Sequence, residues 1–168
     1  MSLDAPLAER LKPADKARIA RALEVVLSTG RSLGAWQEQR EGGIGAQVDL
    51  RPIILLPPRD WLYARCDTRF ASMIDQGAVE EVKRLLARGL DPDVPIMRSI
   101  GVREIGACLA GDASVGEAVT AGQQTTRRYA KRQYTWFAHQ PPSGWPRFRE
   151  PLSEATLGLA LELLTSKA

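Results

Sequence analysis

The sequence predicts a mainly α-helical chain with one or two short strands that would join a parallel sheet formed elsewhere. Three observations carry this. Apolar residues recur at helical spacing through most of the 168 residues, glycines close the periodic stretches, and only the 52–56 and 145–148 segments read as strands. A single short strand cannot satisfy its own backbone groups, so it asks for a partner.

In chain order, Pro13-Ala14-Asp15 opens a helix with Ile19, Leu23, Val26 and Leu27 on one face, Asp15 as cap and Gly30 as stop. A short helical piece at 33–39 leads into Glu41-Gly42-Gly43-Ile44-Gly45, a flexible loop by composition. Pro52-Ile53-Ile54-Leu55-Leu56, closed by Pro57-Pro58, is too short and too β-branched for a helix and reads as a buried strand. Helical spacing then runs from Leu62, Cys66, Phe70, Met73 and Ile74 to Val79, Val82, Leu85 and Leu86, which predicts two consecutive helices jointed at Gly77 and capped by Gly89. Beyond Asp91-Pro92-Asp93-Val94-Pro95, a helix is predicted over 98–109 with Gly111 as its end, and a longer one over 114–137. The 139–144 segment is a turn-rich linker. It leads to Trp145-Pro146-Arg147-Phe148, a second short strand, and to an amphipathic helix over 152–164.

The long helix concentrates the charge. At about 100° per residue, Arg127, Arg128, Lys131 and Arg132 fill one arc, and Tyr129, Ala130, Gln133, Tyr134, Trp136 and Phe137 fill the rest. That pattern predicts one face to be buried and one to meet an anion. Residues 118–149 hold five Arg and one Lys but no Asp or Glu, so the positive field has no local partner in sequence. A solvated surface helix is the plain alternative, but such helices interleave Glu with Lys at i,i+4. Here Arg127/Lys131 and Arg128/Arg132 place like charges at that spacing.

Composition bounds the rest. An apolar fraction of 44% is that of a folded globular chain, and the net charge of +3 matters less than its uneven placement. Cys66 and Cys108 lie among apolar neighbours and read as buried free thiols of a reducing compartment, although sequence leaves a disulfide between them open. No run approaches a membrane span, and Met1-Ser2-Leu3-Asp4 does not begin a signal peptide, so a cytoplasmic protein without a membrane partner is expected.

Chemistry-bearing pairs are few. Arg65 and Arg69, at i,i+4, share a helix face and can bracket a phosphate with their guanidinium forks, or can pair with Asp67, Asp75 or another acid. Arg98 and Arg103 flank Gly101, which permits close backbone approach. The lone His139 has neither a second His nor a suitably spaced Cys, which argues against a zinc site or a triad. Gly42-Gly43-Ile44-Gly45 lacks the lysine and following helix of a phosphate cradle, and Glu80-Glu81 beside Lys83 and Arg84 reads as exposed charge. The residues alone assemble no active site and no metal site.

Several segments, taken in order, resemble the C-terminal part of the tRNA dimethylallyltransferase (tRNA isopentenyltransferase) family. They are Leu11-Lys12-Pro13-Ala14-Asp15 with Arg18-Ile19-Ala20-Arg21-Ala22-Leu23-Glu24-Val25 and Thr29-Gly30, then Arg65, Arg69-Phe70, Met73, Gly77, Glu80-Glu81-Val82 and Leu85-Leu86. Arg98-Ser99-Ile100-Gly101-Val102-Arg103-Glu104 follows, and then Thr126-Arg127, Ala130-Lys131-Arg132-Gln133 and Thr135-Trp136. The order and spacing of these anchors are more specific than any one of them.

The resemblance implies a P-loop-type α/β transferase that moves a dimethylallyl group from its diphosphate to N6 of the adenosine next to the anticodon, on its 3′ side. Mg²⁺, the glycine-rich loop and an Asp base belong, by the same resemblance, to a region upstream of this chain. The chain is then expected to be a C-terminal part with Met1-Ser2-Leu3 as an added start, to bind no cofactor itself and to be inactive alone. Position by position, Arg69 matches the family's diphosphate-binding arginine. Arg10-Leu11-Lys12-Pro13-Ala14, Arg98-Ser99-Ile100-Gly101-Val102-Arg103 and Gln124-Thr125-Thr126-Arg127-Arg128-Tyr129-Ala130-Lys131 match its tRNA-contacting segments. One departure stands out: the family usually carries Tyr after the glycine, and this chain has Val102.

The expected organisation is a helical region over 1–140 that contacts tRNA and diphosphate, with a strand and helix over 141–168. Expected partners are a tRNA anticodon stem-loop and, in the whole enzyme, dimethylallyl diphosphate; self-association through exposed core or orphan strands is a further expectation. Two other functions fit the residues alone: a stand-alone helical RNA-binding module, and a helical scaffold whose basic face meets an acidic protein.

Overall fold

The computed structural model of the protein describes residues 5–39 and 42–165, in two units, Met1–Leu50 and Arg51–Ala168. The 141–168 segment therefore belongs with the larger unit. The expectations placed on Met1-Ser2-Leu3-Asp4 and on Glu41 lie outside the described residues.

The first unit contains α1 (Ala5–Arg10), α2 (Lys16–Thr29) and α3 (Leu33–Glu38), followed by a 3₁₀ turn at Gly45–Gln47. Local chemistry sets both ends of α2. The Asp15 carboxylate accepts the Arg18 N–H at 3.2 Å, and Gly30, left-handed at φ 70°, donates its N–H to Val26 O. The Ser32 hydroxyl caps α3 by accepting the Ala35 N–H at 3.0 Å. The buried stripe of α2 is Ala22, Val25 and Val26, whereas Ile19, Leu23 and Leu27 are 39%, 45% and 68% exposed. This corrects the predicted core face. Helical spacing yields two apolar stripes here, and only the neighbours of the helix decide which one is covered.

In the second unit, β1 (Ile54–Leu55) and β2 (Arg147–Phe148) pair in parallel, with Ile54 opposite Arg147 and Leu55 opposite Phe148. The Ile54 N–H donates to Pro146 O at 2.9 Å and the Leu56 N–H to Phe148 O at 2.8 Å, while Ile54, Leu56 and Phe148 are buried. The two strands expected to be orphans thus pair with one another inside the chain. Their parallel sense demands a long crossover, and the intervening helices supply it. Arg147 fastens the linker before β2 by donating to the carbonyls of Pro141, Pro142, Ser143 and Trp145.

The crossover begins with α4 (Arg59–Met73) and α5 (Val79–Leu86). The predicted joint is a π-type turn over Ile74–Ala78 with Gly77 at φ 103°, a conformation that suits glycine. After a 3₁₀ turn at Pro95–Arg98 come α6 (Val102–Ala110) and α7 (Val115–His139), and α8 (Glu154–Thr165) follows β2. The predicted 98–109 helix starts four residues late because Gly101, at φ 100°, breaks the helical path and caps α6 instead. The end at Gly111, left-handed at φ 84°, is as expected.

Ala78, Val82, Val102 and Ile105 form a buried cluster, with Ile74, Val79 and Leu85 packed against it. Cys66 and Cys108 are free and half-buried. Among the described residues, no helix is long and apolar enough to cross a membrane.

Candidate nucleic-acid interface

Helix α7 buries Ala118, Gly122, Thr126 and Ala130, one small residue per turn. Tyr129, Trp136 and Phe137 remain 47%, 55% and 43% exposed. The expectation that the aromatic arc would be the buried one is therefore corrected. Small side chains let another helix backbone come close, and an aromatic stripe would hold it away. Phe70 of α4 occupies the space: a Cβ added at Gly122 would stand 2.0 Å from its Cζ, and one added at Gly101 would stand 3.4 Å from its Cε2. One ring thus wedges α4 between α7 and the turn before α6.

Polar bonds fix the same seam. The Gln123 amide donates to Asp67 O at 3.1 Å, and Arg127 Nη1 lies 2.6 Å from both Asp67 carboxylate oxygens. Arg127 and Asp67 side chains are 34% and 32% exposed. The basic arc accordingly has a partner that the local sequence did not reveal, 60 residues upstream. Its other members differ: Arg128 and Lys131 are exposed, and among the described residues neither has an acid within ion-pair distance. Arg132 lies over the Tyr129 ring at 5.7 Å.

The segment 124–131 thereby divides by register. Thr126 and Ala130 are buried, Thr125 and Arg127 are half-buried, and Gln124, Arg128, Tyr129 and Lys131 face outward. Gln124, Arg128 and Lys131, at i, i+4 and i+7, form one outward line. Such a line can track phosphates without reading bases.

The 98–103 segment packs beside it. Arg98 donates to Asp93 O, and Ser99, Ile100 and Arg103 are exposed. Gly101 and Val102 are buried. Val102 joins the core cluster, so at this position the chain packs a side chain inward. Glu104 links the two segments: one carboxylate oxygen accepts the Gly101 N–H at 3.0 Å and the other accepts the Thr125 hydroxyl at 2.9 Å. A cleft of about 560 Å³ opens there, with Arg98, Ser99, Arg103 and Thr125 on its walls.

Arg69, next to the wedged Phe70, is exposed and, among the described residues, has no acid within ion-pair distance. Arg65 lies over the Trp61 ring at 5.0 Å, so the two arginines are engaged differently. Arg10 ends α1, and Leu11-Lys12-Pro13-Ala14 form the turn into α2, with the Asp15 N–H bonded to Lys12 O at 2.9 Å. These five residues belong to the first unit. At the start of α7, Glu117 accepts from the Ser114 N–H and hydroxyl at 2.8 and 2.7 Å. The backbone bond first, and the hydroxyl second, hold its carboxyl below the ordinary glutamate range.

Sequence reasoning offered Asp67 of α4 as a partner for Arg65 and Arg69 but not for Arg127, and it assigned no role to Glu104 or to the Ser114–Glu117 cap. The last two carried a signal, a carboxylate three residues after a helix-start residue. The Asp67–Arg127 pair carried none, because it depends on how α4 and α7 cross. Among the described residues, no group of three His, Cys, Asp or Glu side chains is placed to hold a metal ion.

Comparison with known proteins identifies the family of the chain. Residues 1–140 match the model of the IPP transferase family. The chain is 62% identical over 150 residues to a tRNA dimethylallyltransferase of Sphingopyxis alaskensis, covering 89% of the chain and 49% of that protein. It is 61% identical over 144 residues to one of Erythrobacter litoralis, covering 86% of the chain and 45% of that protein. The crystal structure of a tRNA isopentenylpyrophosphate transferase from Bacillus halodurans superposes with a TM-score of 0.58 at 28% identity, over 96% of this chain and 50% of that one. A second, from Staphylococcus epidermidis, gives 0.54 at 28%, over 87% and 47%. The chain spans about half the length of the relatives it matches. On its matched residues and its fold, this chain belongs to the IPP transferase family.

Proposed function

We propose that this chain is the tRNA-contacting part of a tRNA dimethylallyltransferase, with Arg69 as its diphosphate arginine. The observation that carries it is the meeting of two segments far apart in sequence. The 98–103 turn and α7 both match tRNA-contacting segments of the family, and both wall the same cleft of about 560 Å³. Arg103, Arg128 and Lys131 supply exposed cations there and along the outer line of α7. Phosphate contacts of this kind orient an anticodon stem-loop while the target adenosine leaves its stack to react.

In the whole enzyme, the dimethylallyl carbon bonds to adenosine N6, the carbon–oxygen bond to diphosphate breaks, and the amine loses a proton. Arg69, a fixed cation, stabilises the negative charge that grows on the leaving diphosphate. By the family resemblance, the proton acceptor and the Mg²⁺ ligands belong to the region upstream of this chain. The isolated chain is then inactive, and the protein works in the cytoplasm, where its tRNA is.

Binding to an anticodon stem-loop is the direct test, with a scrambled hairpin as control at two salt concentrations. Arg128→Ala and Lys131→Ala in the full-length enzyme each weaken tRNA binding and each reduce the salt slope by about 1. Arg69→Ala lowers turnover far more than tRNA affinity. An unchanged slope removes Arg128 and Lys131 from the interface, and an Arg69 variant that loses only affinity ends its diphosphate role.

A further inference from the structure

The α6–α7 cleft is lined by two arginines, Arg98 and Arg103, and two carboxylates, Glu104 and Glu117. Glu117 is engaged with Ser114 in the cap of α7, and an acid beside those arginines weakens phosphate binding unless it does something else there. Glu104 sits in the α6–α7 cleft with Arg98 and Arg103. Among the described residues it forms an ion pair with neither: Arg98 donates to a backbone carbonyl, and both Glu104 oxygens accept from uncharged donors, the Gly101 N–H at 3.0 Å and the Thr125 hydroxyl at 2.9 Å.

The threonines of α7 show that the second bond is not a default. Thr120, Thr126 and Thr135 each donate to the carbonyl four residues earlier in their own helix, at 2.9, 2.8 and 2.9 Å. Thr125 alone of the four reaches another helix. A helix start needs only one carboxylate oxygen at its backbone, as in the cap. The second oxygen of Glu104 is used across the helix interface.

We propose that Glu104 is a positioning residue for tRNA: it holds the 98–103 turn at a set distance from α7, so that Arg103 and Arg128 present one surface to the RNA backbone. Gly101 makes the turn a point where position is adjustable, because its φ of 100° is imposed by the surroundings rather than by a side chain. Phe70 limits one side of that glycine and Glu104 holds its N–H. Thr125 is the anchor on α7, one turn from Arg128 and directly after the exposed Gln124.

This rests on the tRNA-contact assignment above, and the test separates the two. In the full-length enzyme, Thr125→Val keeps the side-chain shape and the Gly101 bond but removes the link. It should raise KM for tRNA several-fold while leaving KM for dimethylallyl diphosphate unchanged. Glu104→Ala, which loses both bonds, should raise KM for tRNA about tenfold. Glu104→Gln should restore most of it, since its amide oxygen accepts from Gly101 and its NH₂ donates to Thr125 Oγ1. An unchanged KM for tRNA in Thr125→Val, beside a raised one in Arg128→Ala, overturns the positioning role and leaves the tRNA surface standing. If Arg128→Ala is silent as well, both fall. Tighter tRNA binding in Glu104→Ala and Glu104→Gln alike also overturns it, because Glu104 would then act only as a repelling charge.

Discussion

The seam between α4 and α7 and the helix α2 were equally legible as helices, yet they end up in opposite situations. At the seam a phenyl ring fills the groove left by Gly122, and Asp67 binds Arg127 across it at 2.6 Å. In α2 both ends are capped as the sequence indicates, while Ile19, Leu23 and Leu27, one residue per turn, stay exposed. Capping and periodicity make a helix. Packing of a particular face needs a partner whose shape fits it, and the Gly122 groove has one in Phe70.

The contrast can be broken most sharply at the ring. Phe70→Ala should destabilise the chain by about 3–5 kcal/mol, because it leaves a cavity between three segments. Gly122→Ala should cost about 1–3 kcal/mol or more, since a methyl 2.0 Å from the ring forces α4 and α7 apart. Denaturant unfolding measures both, and Phe70→Leu in the Gly122→Ala background should recover part of the loss. A neutral Gly122→Ala would mean that the two helices are not in close contact in solution.

Smaller effects belong to α2. Asp15→Ala should cost about 1 kcal/mol by removing the acceptor for the Arg18 N–H. Hydrogen exchange along the first turn of α2 reports it directly. Leu27→Gln, at a side chain 68% exposed, should stay within about 0.5 kcal/mol. A large loss there would show that the stripe is covered in solution.

The smallest effect is pH-dependent. The Glu117 carboxyl lies below its ordinary range in the folded chain because Ser114 donates to it. A lowered value in the folded state means that the unfolded chain takes up the proton first. The cap therefore contributes fully above the ordinary glutamate range, and its contribution is lost as pH falls through the lowered value. An acid titration should loosen the first turn of α7 before its centre, and Glu117→Gln should remove that pH dependence. Identical behaviour of wild type and variant would show that the cap does not titrate in this way.

Much of the candidate interface was legible because its signals are local or serial. Arg128, Lys131 and Gln124 share a face by helical spacing alone, and Arg69 was identified from its place in an ordered series of motifs. The companion expectation for Arg127 changed because its partner Asp67 lies 60 residues away and meets it only across a helix crossing. The aromatic arc was misjudged for a related reason. Hydrophobicity favours burying Trp136 and Phe137, but at a close crossing backbone proximity favours Gly122, Thr126 and Ala130.

By itself the sequence determined the helices from α2 onward, most of their ends and the excess of positive charge on α7, because caps, glycines with positive φ and the 3.6-residue period act between neighbours in the chain. The short α1 over Ala5–Arg10 was not read. Only the tertiary structure decided which stripe of each helix is buried, which cation is neutralised, and that β1 pairs with β2. Those outcomes depend on surfaces brought together from distant residues, and their fit is a property of neither surface alone.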